Sequence, residues 1–169
     1  MTHRTDETLL ILNKHRNGVG KTDFSDKLIK YYILEPEASL SLGENTILDT
    51  TTHPPTIKEL DLIFEAWLGD DILEIFPCFF VTQKLKQLIE LNNLKKVNFE
   101  LVNPTKSDTF RELHPYQKLP TIYSLKVLGK PKCDDFGISK ENLLIVSHSC
   151  LNVLSQANLN HCDIEEIMI

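Results

Sequence analysis

From Lys30 onward the apolar positions fall into short runs separated by polar, Gly- and Pro-containing stretches. Lys30–Leu34 (KYYIL) is β-branched and aromatic, which predicts a strand. Glu35 to Pro55 is rich in Ser, Thr, Gly and Pro and predicts a long surface loop. Lys58–Trp67 alternates, with Leu60, Leu62 and Phe64 on one side, and predicts a second strand punctuated by Gly69. Asp70–Phe76 is read as one helical turn before Pro77, and Phe79–Val81 as a short buried strand. Thr82 then stands where an N-cap belongs, for a helix to about Asn92 with Leu85, Leu88, Ile89 and Asn92 on one face. Lys96–Val102 predicts a strand, and Thr105–Asp108 a capping box for a short helix that Pro115 ends. Thr121–Leu128, closed by Gly129, and Leu143–Val146 predict two further strands. A helix then runs to about Ala157, and Cys162–Met168 is the last strand.

The pattern repeats. With a shift of 65 residues, Phe80-Val81-Thr82 falls on Ile145-Val146-Ser147 and Leu88-Ile89 on Val153-Leu154. Asn93-Leu94 falls on Asn158-Leu159, and Phe99-Glu100 on Ile164-Glu165. Each segment reads strand, Ser/Thr cap, amphipathic helix, Asn-Leu turn, strand, and Asn tolerates the left-handed backbone that helix ends often need. The expected fold is α+β: a mixed β-sheet with packed helices, containing two similar strand–helix–strand units, each a right-handed parallel crossover.

Composition sharpens this. The chain has 169 residues, with 18 Lys and Arg against 24 Asp and Glu, a net charge of −6. At 41% hydrophobic and 25% charged it has a globular composition, and no apolar run is long enough to span a bilayer. The charge is uneven: residues 1–30 hold six bases and four acids, residues 31–169 twelve bases and twenty acids. Residues 1–29, with Gly18, Gly20 and few large apolar side chains, are read as a flexible basic extension, and 30–169 as a single domain. Leu9–Leu12 is too short for a signal h-region, so a cytoplasmic location is expected. The four cysteines form no CxxC pair and read as reduced thiols. A net-acidic body disfavours nucleic acid as a partner, because phosphate affinity comes mainly from Lys and Arg.

Motifs that resemble catalytic ones lack their context. Gly20-Lys21-Thr22 resembles the end of a phosphate loop, but the position that needs the first Gly is His15. Asp135-Phe136-Gly137 matches the kinase magnesium motif without a His-Arg-Asp loop, and reads as a surface turn. His148, Cys150, His161 and Cys162 form the one cluster with zinc-like residue types, but not with finger or ribbon spacing. In the repeat, Cys150 falls on Leu85 and Cys162 on Val97, so both read as small buried hydrophobes. Ser147-His148-Ser149 reads as helix capping, and Asp70, Asp71 and Glu74 as a solvated acidic face without EF-hand spacing. No cofactor is expected.

Glu59–Glu74 contains six acids and no base, and the only tryptophan, Trp67, sits in its middle. An aromatic flanked by carboxylates can anchor an interface: the ring supplies buried area and the charges steer a basic partner. Glu65, Trp67, Asp70, Asp71 and Glu74 are therefore the candidate partner-binding residues.

Seven segments carry a family resemblance: Lys30–Pro36 (KYYILEP), Leu42–Asp49 (LGENTILD), His53–Pro55 (HPP), Trp67–Asp71 (WLGDD), Phe76–Thr82 (FPCFFVT), Asp135–Ser139 (DFGIS) and Asn160–Glu165 (NHCDIE). In this order, over about 140 residues, the chain resembles the immunity proteins of bacterial polymorphic-toxin systems, in a group long catalogued only as an uncharacterised domain. The resemblance implies a small noncatalytic cytoplasmic antidote that binds and neutralises a cognate toxin, without saying which toxin; the acidic segment around Trp67 is what points to a basic one, such as a nuclease. The alternative is a small zinc-dependent enzyme or metalloprotein using His148, Cys150, His161 and Cys162.

Overall fold

A computed structural model describes residues 30–168. Residues 1–29, with Gly20-Lys21-Thr22, lie outside the described residues. The described chain forms thirteen strands and three helices. The strands are β1 (Lys30–Glu35), β2 (Leu40–Leu42), β3 (Ile47–Asp49), β4 (Thr56–Glu59), β5 (Leu62–Phe64), β6 (Ile72–Ile75) and β7 (Cys78–Thr82). They continue with β8 (Val97–Val102), β9 (Thr105–Lys106), β10 (Ile122–Val127), β11 (Phe136–Ile138), β12 (Leu144–Ser147) and β13 (Asp163–Met168). The helices are α1 (Gln83–Leu91), α2 (Asp108–Leu113) and α3 (His148–Leu154). The α+β class holds. Among the described residues, no helix is long and apolar enough to cross a membrane.

Two four-stranded sheets have the same plan. One has the order β6-β7-β10-β8, the other β11-β12-β1-β13. In each, a hairpin leads into a helix whose exit strand skips one position, and an antiparallel strand fills the gap. Ile122 of β10 lies opposite both Thr82 and Val102; Tyr31 of β1 lies opposite both Ser147 and Ile167. Both pairs of partners are 65 residues apart in the chain, so the sequence repeat is a register-for-register structural repeat. The expectation of parallel crossovers holds for strand direction only, because each sheet pairs its strands antiparallel. The filling strand comes from opposite sides of the units: β10 follows the first, and β1 precedes both.

The polar frame repeats too. The Thr82 hydroxyl caps α1 by accepting from Leu85 N–H, and Ser147 caps α3 by accepting from Cys150 N–H. Each cap hydroxyl then donates to an aspartate standing just before the hairpin: Thr82 to Asp71 at 2.6 Å, Ser147 to Asp135 at 2.7 Å. The same aspartates accept the cap residues' N–H on their carbonyls, both at 3.0 Å. Tyr123 donates to Gln83 at 2.6 Å, and its counterpart Tyr32 meets His148 Nδ1 at 3.1 Å.

Successive side chains of a strand point to opposite faces, and both faces of the first sheet are used. Phe79, Val81 and Leu125 pack with Leu85, Ile89, Tyr32, Leu34, Leu144, Val146 and Cys150, one core shared by both sheets and by α1 and α3. Leu73, Phe80 and Ile122 face the other way, onto Leu40, Leu62, Phe64 and Phe110. This second core is roofed by a small sheet of order β2-β5-β9 and by α2.

Five local expectations are corrected. Residues 35–55 are not one surface loop: they contain β2 and β3, and Pro36, Glu37 and Leu40 are buried. The expected 58–67 strand breaks into β4 and β5, and the expected turn of helix at 70–76 is β6, whose β-branched Ile72 and Ile75 fit a buried pleat. The cap of α2 is Ser107, not Thr105, which belongs to β9. Phe136-Gly137 is no surface turn but buried β11, where a Cβ on Gly137 would lie 2.2 Å from the Pro131 nitrogen of the crossing loop. Asn93 does take the left-handed backbone, at φ 55°.

The capping frame predicts asymmetric losses. Thr82→Ala should cost roughly 2 kcal/mol, because it removes a cap and strips a hydrogen bond from a buried carboxylate, whereas Thr82→Ser should recover most of it. Ser147→Ala, at a less buried site, should cost about 1 kcal/mol. Urea unfolding monitored by circular dichroism measures both.

Candidate partner-binding surface

The loop between β5 and β6 carries Glu65, Trp67, Asp70 and Asp71, with Glu74 following in β6, and it is held by hydrogen bonds along its length. At its start, Glu65 and Ala66 N–H donate to the Ser39 carbonyl at 3.0 and 3.3 Å, and the Ser41 hydroxyl donates to Glu65 Oε1 at 2.5 Å. The half-buried Trp67 ring packs on the second core. Its indole N–H donates to the Asp70 carbonyl at 3.0 Å, and its own carbonyl accepts from the Gln117 amide at 3.0 Å. Leu68 N–H is held by Glu37 Oε1 at 2.9 Å. The loop closes through Gly69, whose φ of 104° is a backbone that glycine adopts freely.

Trp67 sits beside the segment that follows α2. Ala66–Leu68 and Leu113–Gln117 together line a shallow depression of about 470 Å³. Leu68 is 57% exposed, Leu113 69% and Tyr116 94%. The segment is tied down by Gln117, whose amide holds Trp67 and whose carbonyl accepts from the Lys106 ammonium. Three large apolar side chains left in water beside the lone tryptophan, on bonded backbone, have the composition of an interface core.

The acids are arranged differently from the expected solvated face. Glu65 is exposed and Glu74 half-buried, but Asp70 is 0% and Asp71 6% exposed. Both aspartates are turned inward because they complete backbone that would otherwise be unpaired. Asp70 Oδ2 accepts His161 N–H at 2.7 Å, and its Oδ1 lies 2.9 Å from His161 Nδ1. Asp71 Oδ2 accepts Asn158 N–H at 2.8 Å and the Lys84 ammonium at 2.9 Å. Burial works against ionisation of Asp71, yet the Asn158 N–H, the Thr82 hydroxyl and Lys84 hold its carboxyl below the usual aspartate range.

Like Glu65, several acids of β1, β6 and β13 have no cationic partner among the described residues. Glu35 of β1 stands opposite Asp163 of β13, a like-charge cross-strand pair. Burial, and next the Glu35 carboxylate, push the Glu74 carboxyl up. Among the described residues, Glu35, Glu74, Asp163 and Glu165 have no Lys, Arg or His nitrogen within 4.0 Å. Sequence reading missed Leu68, Leu113 and Tyr116, although apolar residues flanking a helix-ending proline were a usable signal. The Glu35–Asp163 pair has no local signal at all, since the two are joined only by strand pairing.

The four zinc-like residues are not gathered into one group. His148 is exposed and held on Tyr32, while Cys150 is buried against α1 and the sheets. Burial raises the thiol of Cys150, and burial with Asp70, Glu74 and Asp163 nearby pushes that of Cys162 up to about 12. Thiolates, the form that binds metal, are therefore suppressed at neutral pH. The hydroxyls of Ser147 and Ser149 are both directed at Asp135, not at His148. The three His, Cys, Asp or Glu residues whose donor atoms do converge, among the described residues, are Glu37, Asp70 and His161.

No family model matches the chain, and a search of curated proteins finds no match.

The Asp71 network has a pH signature. A carboxyl lowered by folding contributes stability that is present above the unfolded value, about 4, and lost as pH falls through the lower folded value. Asp71→Asn should therefore cost roughly 2 kcal/mol at pH 7 and progressively less below pH 4. Thermal unfolding of both proteins from pH 7 to pH 2.5 gives the comparison, and a gap that widens in acid contradicts this account.

Proposed function

We propose that the chain is a noncatalytic immunity protein that binds and neutralises a cognate bacterial toxin, with a basic toxin such as a nuclease as the expected kind. The observation that carries this is the exposed apolar surface of Leu68, Leu113 and Tyr116 around a fixed Trp67. Burying such side chains against a partner recovers area that is wasted in the free protein. The resemblance carried by the seven sequence segments supports the same reading, as does the surplus of acids over bases in residues 31–169.

The uncompensated carboxylates support a basic partner in particular. Glu35 faces the like charge of Asp163 across the strand pair and its carboxylate also acts on Glu74, so these contacts oppose the stability of the free protein. A basic partner would relieve that repulsion and would be steered by it on approach. Stability and binding then trade against each other at these positions. The metalloprotein alternative using His148, Cys150, His161 and Cys162 gains no comparable support, because the two thiols are buried in the shared core.

The test is binding to, and rescue from, the toxin encoded by the neighbouring gene. The intact protein should bind it 1:1 and restore growth on co-expression. Tyr116→Ser combined with Leu113→Ser should weaken binding by about 2 kcal/mol or more while leaving the unfolding midpoint nearly unchanged. Glu35→Gln with Glu74→Gln should do the reverse, raising the midpoint while slowing association and flattening its salt dependence. Co-expression without rescue sinks the reading.

A further inference from the structure

Beneath the Trp67 loop, three segments far apart in the chain bring Glu37, Asp70 and His161 together, with one donor atom from each lying within 4.8 Å of the others. Two of the three are carboxylates withdrawn from water: Glu37 is 4% exposed and Asp70 0%. Neither has a Lys or Arg nitrogen within 4.0 Å among the described residues, so the imidazole of His161 is the one cationisable group facing them. Two buried carboxylates with one imidazole are short of positive charge.

Their lone pairs are also underused. An ionised carboxylate has about four acceptor sites. Asp70 accepts two hydrogen bonds, both from His161. Glu37 accepts from the Ser39 hydroxyl and Leu68 N–H, and weakly from Asp70 N–H at 3.3 Å. Asp70 thus keeps about two unused acceptor sites where solvent does not reach.

The spacing fits a small metal ion. Around a metal with bonds of about 2.1 Å, neighbouring donors lie about 3.0–3.4 Å apart. His161 Nδ1 and Asp70 Oδ1 are already 2.9 Å apart. The long Asp70 N–H bond leaves that arm of Glu37 the easiest to draw in. The His161 side chain is 44% exposed, which provides an entry path and a coordination position open to water.

We propose that Glu37, Asp70 and His161 form a divalent transition-metal site, with Zn²⁺ as the ion it takes. One nitrogen and two carboxylate oxygens with an open position is a zinc-type donor set; Mg²⁺ and Ca²⁺ favour shells built of oxygen alone. On binding, His161 coordinates as neutral imidazole through Nδ1, carries its proton on Nε2, and gives up its bond to Asp70 Oδ1. The ion clasps the segment after β1, the Trp67 loop and the turn into β13. The inference stands independently of the toxin-binding reading.

Full-length protein, purified without a His-tag and stripped with chelator, is titrated with Zn²⁺ by calorimetry and with Co²⁺ by visible absorption. One ion per chain is expected. His161→Ala should weaken Zn²⁺ binding about 10–100-fold or more. His161→Asn, which keeps a side-chain donor near the buried Asp70 carboxylate, should weaken it likewise, and circular dichroism checks that both variants are folded. His148→Ala should leave it unchanged, and millimolar Mg²⁺ should not compete. Absence of Zn²⁺ binding overturns the site, as does binding that survives His161→Ala or disappears with His148→Ala.

Discussion

The buried carboxylate of Asp71 is the interaction on which the rest of the arrangement depends. It is tied to the Thr82 cap of α1, to Lys84, and to the backbone of Asn158 in the second repeat unit. Its own N–H donates to the Asn158 carbonyl at 2.8 Å. A single side chain thus fixes the helix start, the entry into β6 and the register between the two units. An ionised group this deep is tolerable only because each oxygen is met by a donor, and removing one donor exposes the full cost of burying the others. The Trp67 loop ends on this anchor, so the orientation of the candidate surface follows from it.

The repeat was legible in the sequence because its parts are local. Thr82 and Ser147 precede amphipathic helices, and strand and cap recur 65 residues on. What stayed hidden is how the repeat closes. β10 and β1 fill equivalent positions from different ends of the chain, and nothing near either strand encodes that choice. Asp71 and Asp135 were visible as letters, but their role as anchors for the caps needs the hairpins folded. Residues 35–76 were misread for a related reason. Their strands have three or four residues, too short for alternation to show, and β2, β5 and β6 gain stability from the second core and not from their own pattern.

The two units share a frame but not a surface. Where a second core covers the free face of the first sheet, the second sheet is crossed by the loop through Pro131, close enough to require glycine at 137. The additions to the first unit, residues 36–68 and 103–120, supply Trp67, Leu68, Leu113 and Tyr116. A frame that is already stable lets such additions vary without unfolding the core, the usual relation between scaffold and binding loop. The location of the apolar surface on the unshared part of the structure is therefore itself an argument that it serves recognition.

Charge placement argues in the same direction. Asp71 is paired and buried, and Asp49, Glu90, Asp108 and Glu100 each have a lysine or arginine partner. Glu35, Glu74, Asp163 and Glu165 do not, although β1 and β13 could carry a cross-strand pair, as Lys30 and Glu166 do at 2.9 Å on the same two strands. Substituting lysine at Glu35 would turn a repulsive contact into an attractive one without touching the core. Every buried polar side-chain atom among the described residues finds a partner, yet this repulsion stays in place, so the β1–β13 pair is not at its stability optimum.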